Sequence, residues 1–192
     1  MRNTGRRQFK KYSSILYFIS KVFSFCGKRF NLYLFSTVRN TNGKLGIALR
    51  YVFIKNIAKK VGENVSIQPS VFIFNAHNIE IGNNVSIHPM CYIEGIGGIT
   101  IGDNVSIAHA SSIISSNHTW DDISIPIKYN PEKNGQIVIK EDVWIGSGVR
   151  VLAGVTIQQR SIAAAGTVVS RSFDSNVILG GVPAKVIKKI NS

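Results

Sequence analysis

Val61-Gly-Glu-Asn-Val-Ser-Ile67 recurs as Ile81-Gly-Asn-Asn-Val-Ser-Ile87 and again as Ile101-Gly-Asp-Asn-Val-Ser-Ile107, three nearly identical stretches spaced 20 residues apart. Within and between them an aliphatic residue returns about every six positions: Ile67, Ile73, Ile81, Ile87, Ile93, Ile101, Ile107, Ile113. The frame resumes further on at Ile139, Ile145, Val151, Ile157, Ala163 and Val169. A six-residue period with one inward aliphatic and short β-branched runs fits a three-sided solenoid in which three hexapeptides close each coil. Each coil buries its aliphatic side chains only by stacking on the next, so five or so coils make one continuous core. A sandwich of unrelated strands would show alternating patterns at irregular spacing instead. Gly follows the aliphatic residue at Gly62, Gly82, Gly102 and Gly146; with the neighbouring Asn and Asp these read as turn residues that tolerate a left-handed backbone. Parallel crossovers are ordinarily right-handed, so the pattern by itself does not give the hand of the coil.

Outside the repeats the composition splits in two. The 192 residues carry a net charge of +13, which on its own suggests nucleic acid or an anionic membrane. Yet residues 1–60 hold 14 of the 23 Lys and Arg and none of the 10 Asp and Glu, leaving 9 basic against 10 acidic residues in the rest. The body is therefore near neutral, without the basic stripe of a nucleic-acid-binding domain. The expected organisation is a basic amphipathic helical extension over 1–60 and a solenoid domain over 61–192. In the extension Tyr12, Ile15, Leu16, Ile19, Val22 and Phe23 share one helical face, and Ile47, Tyr51, Ile54 and Ala58 another. Two or three short helices follow, able to cover the open first coil or to lie on an anionic membrane through residues 12–25. The apolar run over 15–25 is too short to span a bilayer and is broken by Lys21. It lacks a small-residue cleavage site, so it does not read as a signal peptide. Cys26 and Cys91 stand far apart, which argues against a disulfide framework and fits a reducing compartment.

The hexapeptide frame is lost over 115–136, an excursion of roughly twenty residues. Loops of this length are uncommon in compact domains unless they are used. His118 sits at its root, and an imidazole can take up a proton near neutral pH without help. A lone histidine in a polar loop is otherwise simply solvated.

Three further stretches carry a family resemblance: Ser116-Asn-His118 at the loop root, Asp142-Val-Trp-Ile-Gly-Ser147 where the frame resumes, and Gly180-Gly-Val-Pro-Ala-Lys-Val-Ile187 near the C-terminus. With them, residues 61–190 resemble the hexapeptide-repeat acyltransferases, and among these the galactoside and maltose O-acetyltransferases. The resemblance implies an all-β solenoid, a left-handed parallel β-helix with an N-terminal helical extension and a short C-terminal tail. It implies acetyl-CoA as acetyl donor, no metal, and a homotrimer with the cofactor in a groove between subunits. His118 then stands as general base and the Ser147 backbone N–H as oxyanion donor, a type of group that contributes a few kcal/mol. Trp144 packs beside the site. Ala165 and Ser170 border the pantetheine arm, and Arg171, Lys185 and Lys188 match positions that meet the nucleotide phosphates. His88, Glu94 and Asn117 fall near acceptor-binding positions, and His88 replaces an Asn of the galactoside enzymes. His109, Asp121 and Asp122 are weaker candidates.

The reading that follows is O-acetylation of a sugar or surface polysaccharide by direct transfer, in the cytoplasm or at the inner face of the membrane. An N-acetyltransferase acting on an amino sugar shares the fold, the cofactor and the histidine. A zinc carbonic anhydrase on the same helix needs three converging histidines, and His77, His88, His109 and His118 lack the close pair. A passive scaffold needs neither the excursion, nor the histidine at its root, nor the cationic C-terminal motif.

Overall fold

In the computed structural model, which describes residues 5–190, three helices precede a stack of short parallel strands. The helices are α1 (Gly5–Ser24), α2 (Gly27–Thr37) and α3 (Gly43–Ile57). From Lys60 onward the chain winds as a left-handed parallel β-helix of about six turns. Its first face stacks Lys60–Val61, Ile79–Ile81, Ile99–Ile101, Ile137–Ile139 and Thr156–Ile157. The second stacks Ser66–Ile67, Ser86–Ile87, Ser106–Ile107, Trp144–Ile145, Ile162–Ala163 and Val177–Gly180. The third stacks Phe72–Phe74, Tyr92–Glu94, Ser112–Ile114, Arg150–Val151 and Val168–Val169. A last strand, Lys185–Lys189, turns back antiparallel on Val177–Gly180 and covers the edge that the final coil would otherwise leave open.

Register explains the repeat. Ile67 pairs with Ile87, Ile87 with Ile107, and Ile145 with both Ile107 and Ala163, each fully buried. Each such isoleucine contributes about 1.5–3 kcal/mol by leaving water. Cys91 belongs to the same interior, where burial pushes its thiol pKa up and keeps it a neutral donor to the Ala108 carbonyl at 3.1 Å.

The glycines that follow the aliphatic residues serve a different purpose from the one their sequence suggests. None of Gly62, Gly82, Gly102 and Gly146 has a positive φ. A Cβ on Gly62 would come within 2.6 Å of the Gly82 carbonyl oxygen, and one on Gly146 within 2.7 Å of the Ala163 carbonyl oxygen. These positions are small because the next coil's backbone lies there. The left-handed conformation belongs two residues later to Asn64, Asn84 and Asn104, at φ of 53°, 57° and 58°. At the next corner Met90 and Ala110 adopt it as well, at 62° and 57°, held by stacking and not by turn chemistry.

The helices cap the first coil. Tyr51, Val52, Phe53, Ile54 and Ile57 of α3 join the solenoid interior in one continuous core. Phe9 and Phe23 of α1 lie edge-on against Tyr51 and Phe53, with ring centroids 5.3 and 5.2 Å apart. The apolar face expected for α1 divides in two. Leu16, Ile19 and Phe23 pack inward, while Tyr12, Ile15 and Val22 remain exposed, because the six positions span a wider arc than the contact with α3 covers.

Candidate active site

The excursion over 115–136 is a laced arm. Ser116–His118 pairs antiparallel with Glu132–Asn134, setting His118 opposite Glu132. The His118 Nε2 lies 3.8 Å from Glu132 Oε1, with both side chains about half exposed. That separation is too long for a hydrogen bond and close enough for a charge contact once the imidazole is protonated. At the tip the buried Asn130 accepts a hydrogen bond from the Asp122 N–H and donates to the Asp122 carbonyl, so the arm carries its own backbone bonding. At the root Ser115 is buried. It donates to the Glu94 carbonyl at 2.8 Å, its hydroxyl accepts from the Gly97 N–H at 2.9 Å, and its carbonyl accepts from the Gly135 N–H at 2.9 Å. A Cβ on Gly97 would run into that Ser115 carbonyl.

The arm leaves the corner between the third and first faces, and several predicted residues gather there. Asn117 is exposed beside His118. Glu94 lies one coil above, in register with Ile114. Its carboxylate is already engaged, Oε1 accepting from Asn75 Nδ2 and the Ile96 N–H at 2.8 Å each and Oε2 from the Ser116 hydroxyl at 3.5 Å. Glu94 therefore buttresses the arm root. Ser170 and Arg171 follow Val168–Val169 at the same corner, both exposed, with the Arg171 guanidinium 5.2 Å from the Phe173 ring centroid.

Ser147, Ala165 and His88 stand at the corner between the second and third faces, with Lys185 beside it. Hydrogen bonds from Ala110 N–H to the Pro89 carbonyl, Gly148 N–H to the His109 carbonyl and Gly166 N–H to the Ser147 carbonyl stack Pro89, His109, Ser147 and Ala165 in one column. Among the described residues the Ser147 N–H has no protein acceptor. Left-handed Gly148 and Gly166 and the methyl of Ala165 keep this edge low. The column reaches Gly181, next to Gly180, which pairs with Lys185; Lys188 lies further along the same strand, opposite Ile178. His88 is exposed near the top of this corner, and Trp144 stands exposed on the second face between Ser106 and Ile162.

One chain thus presents two half-sites. His118, Asn117, Glu94, Ser170 and Arg171 occupy one corner, and Ser147, Ala165, Lys185 and His88 the other. The third face between their roots is about five extended residues wide, on the order of 15 Å. Sequence reasoning missed Glu132, since nothing but the strand register across the arm pairs it with His118. His109, a weaker candidate, stacks directly on Ser147. Among the described residues no group of three His, Cys, Asp or Glu side chains is placed to share a metal ion.

The chain matches no model of a known protein family. It is 36% identical over 147 residues to the galactoside O-acetyltransferase of Escherichia coli K12, covering 74% of this chain and 69% of that one. Its fold is similar to that of a hexapeptide-repeat-containing acetyltransferase from Vibrio cholerae O1 biovar eltor complexed with acetyl coenzyme A, at TM-score 0.76 and 26% identity over 84% of this chain and 86% of that one. It is also similar, at TM-score 0.57 and 27% identity over 70% of this chain and 86% of that one, to a variant of AntD, an N-acyltransferase from Bacillus cereus in complex with dTDP-4-amino-4,6-dideoxyglucose and coenzyme A.

Proposed function

The chain belongs to the hexapeptide-repeat acetyltransferases and is an acetyl-CoA-dependent enzyme of that family, and we propose that it acetylates a hydroxyl of a sugar or surface polysaccharide with His118 as general base. The observation that carries this reading is His118 on a two-stranded arm with a carboxylate, Glu132, facing its imidazole. A base that takes a proton from an acceptor hydroxyl becomes a cation, and here that cation would stand 3.8 Å from the Glu132 carboxylate. Bound acetyl-CoA supplies an electrophilic thioester carbonyl. The acceptor oxygen attacks that carbonyl as His118 removes its proton, and the free Ser147 N–H donates to the oxygen that gains negative charge. The tetrahedral adduct collapses by breaking its C–S bond, and the protonated His118 gives its proton to the departing thiolate.

The second corner suits the donor. The Ser147, Ala165 and Gly166 edge leaves room for a thin chain, and Lys185 and Lys188 bring cationic donors beside and below it for phosphate groups. Ser170 and Arg171 sit instead on the His118 corner, so the full set is assembled only when the His118 corner of one copy meets the Ser147 corner of another. A closed homotrimer uses such head-to-tail contacts and makes three equal sites. Mixing two inactive variants, His118→Ala and Ala165→Trp, by joint unfolding and refolding is expected to restore about a quarter of wild-type activity, since that share of interfaces keeps both good corners. No recovery in trimers proven to be mixed would mean that each site lies within one chain.

A second reading, N-acylation of an amino sugar, is favoured by the similarity to the Bacillus cereus N-acyltransferase. Thiol release from acetyl-CoA, followed with neutral sugars, amino sugars and nucleotide sugars as acceptors, separates the two. Release that depends on neutral sugars supports the proposal; release with amino sugars alone supports N-acylation.

The arm root yields a further expectation. Gly97→Ala pushes against the Ser115 carbonyl that holds the arm, shifting His118 without removing it. Displacements of about 1 Å cost roughly 10²-fold in rate. We expect kcat to fall by that order while the protein stays folded and CoA affinity, measured by calorimetry, changes little.

A further inference from the structure

The outer side of the helical cap is apolar and basic at once. Ile15, Phe18, Val22 and Phe25 are spaced three, four and three residues apart, one stripe along α1 and into the turn that follows it. They are 58, 70, 49 and 84% exposed, although the opposite side of the same helix is packed on α3. Capping the solenoid accounts for Leu16, Ile19 and Phe23 and leaves this second stripe without a structural role. Contiguous exposed apolar surface of this kind marks a contact with something that is not water.

Charge says what that is. Lys11 lies seven residues before Phe18 and Lys21 three residues after it, so both flank the stripe, and Lys28 and Arg29 continue the basic character at the start of α2. Residues 1–60 contain no Asp or Glu, and among the described residues no lysine or arginine of α1 or α2 pairs with a carboxylate. A protein partner or a second copy of this chain would have to bring all of the negative charge to a surface that has none to return. A nucleic acid would leave four large apolar side chains in water. A membrane surface rich in acidic lipids satisfies both features, the apolar stripe entering the boundary between headgroups and acyl chains and the lysines meeting lipid phosphates. No helix of the described residues is long and apolar enough to cross the bilayer, so the contact lies in the plane of the surface.

We propose that the exposed face of α1 and the turn after it, built on Ile15, Phe18, Val22, Phe25, Lys11 and Lys21, docks this protein on an anionic lipid bilayer. The inference is independent of the acetyl-transfer reading and stands or falls with a different experiment. The full chain is floated through a density gradient with vesicles of phosphatidylcholine alone or mixed with phosphatidylglycerol. The protein is expected to float with the mixed vesicles, to stay at the bottom with phosphatidylcholine, and to be released by salt. The double variant Phe18→Ser, Phe25→Ser is expected to lose binding by at least about tenfold, and Lys11→Gln and Lys21→Gln by about fivefold each. Because all four side chains face solvent, these variants are expected to melt within about 2 °C of wild type and to acetylate a soluble acceptor at the wild-type rate. Wild type that stays at the bottom with the mixed vesicles overturns the proposal. So does a double variant that floats as wild type does. A double variant that changes oligomeric mass in sedimentation velocity assigns the stripe to a second copy, and nucleic-acid binding that survives in it assigns the lysines to that ligand; either result overturns the proposal too.

Discussion

Replacing His118 by alanine is expected to lower kcat about 10³-fold and to leave the affinity for acetyl-CoA at the wild-type level. General bases contribute roughly 10²–10⁴-fold, and the upper part of that range applies where the acceptor is an unactivated sugar hydroxyl that cannot lose its proton unaided. Under the proposed assignment, the residual rate would come from the groups on the other corner, the Ser147 N–H and the low edge at Ala165, which would still position the thioester. His118 is about half exposed and bonds to no part of the core, so the substitution is expected to leave folding unchanged. Loss of rate without loss of CoA binding or of melting temperature is therefore the signature of a base. His118→Gln, which keeps a hydrogen-bonding side chain of similar size but cannot hold the proton, is expected to be as inactive as the alanine variant. A fall of less than about tenfold in kcat would mean that another group takes the proton.

The largest stability effect is expected at Arg50, which no reading of the catalytic site touches. Its side chain is fully buried without a carboxylate. Nε donates to the Ile67 carbonyl at 2.8 Å, and one terminal nitrogen reaches the carbonyls of Val38, Arg39 and Thr41 at 2.9, 3.2 and 2.8 Å. Those three carbonyls follow the end of α2, where the helix dipole is negative, and Val38 and Arg39 accept in addition from the Thr41 and Ser70 N–H, each at 3.1 Å. Ile67 belongs to the first coil. One guanidinium therefore ties the turn between α2 and α3 to the solenoid, and burial of its charge is offset by four acceptors instead of by an anion. Arg50→Met keeps the stem but strands the Ile67 and Thr41 carbonyls, while those of Val38 and Arg39 keep the Thr41 and Ser70 N–H, so it is expected to cost about 3–5 kcal/mol. In a domain of this size that is a drop of about 10 °C or more in Tm. Arg50→Lys, with one short-reaching ammonium in place of a planar fork, is expected to fall between. A methionine variant melting within about 2 °C of wild type would show that water or relaxation of the turn satisfies the carbonyls.

The solenoid was legible because each hexapeptide states its own place in it: an aliphatic every six residues leaves no other way to bury Ile67, Ile87 and Ile107 together. What the repeat does not state is anything that depends on how one coil lies on the next. Gly62 and Gly146 looked like turn residues and are close-approach residues, a distinction visible only once the neighbouring backbone is in place. The position of His118 was legible from the loss of the frame, whereas its partner Glu132 was not. The two strands of the arm are joined by thirteen residues with no hairpin turn signature, so their register is a tertiary result. Likewise, the division of candidate residues between two corners follows from counting coils in three dimensions and could not be read from spacing. In α1 the apolar pattern gave a helix correctly but not which of Leu16 and Ile15 faces inward, since both lie on a stripe wider than its contact.

The most direct test of the central claim is the chemistry of the product. Acetyl-CoA labelled in its acetyl group is turned over with neutral sugar, glycan and amino-sugar acceptors by wild type and by His118→Ala, and the purified product is treated with alkaline hydroxylamine. An acetyl ester that hydroxylamine removes, formed by wild type and lost with the histidine, is the predicted result. A hydroxylamine-stable acetyl amide formed only on amino sugars, or ester formed equally well by both proteins, would contradict it.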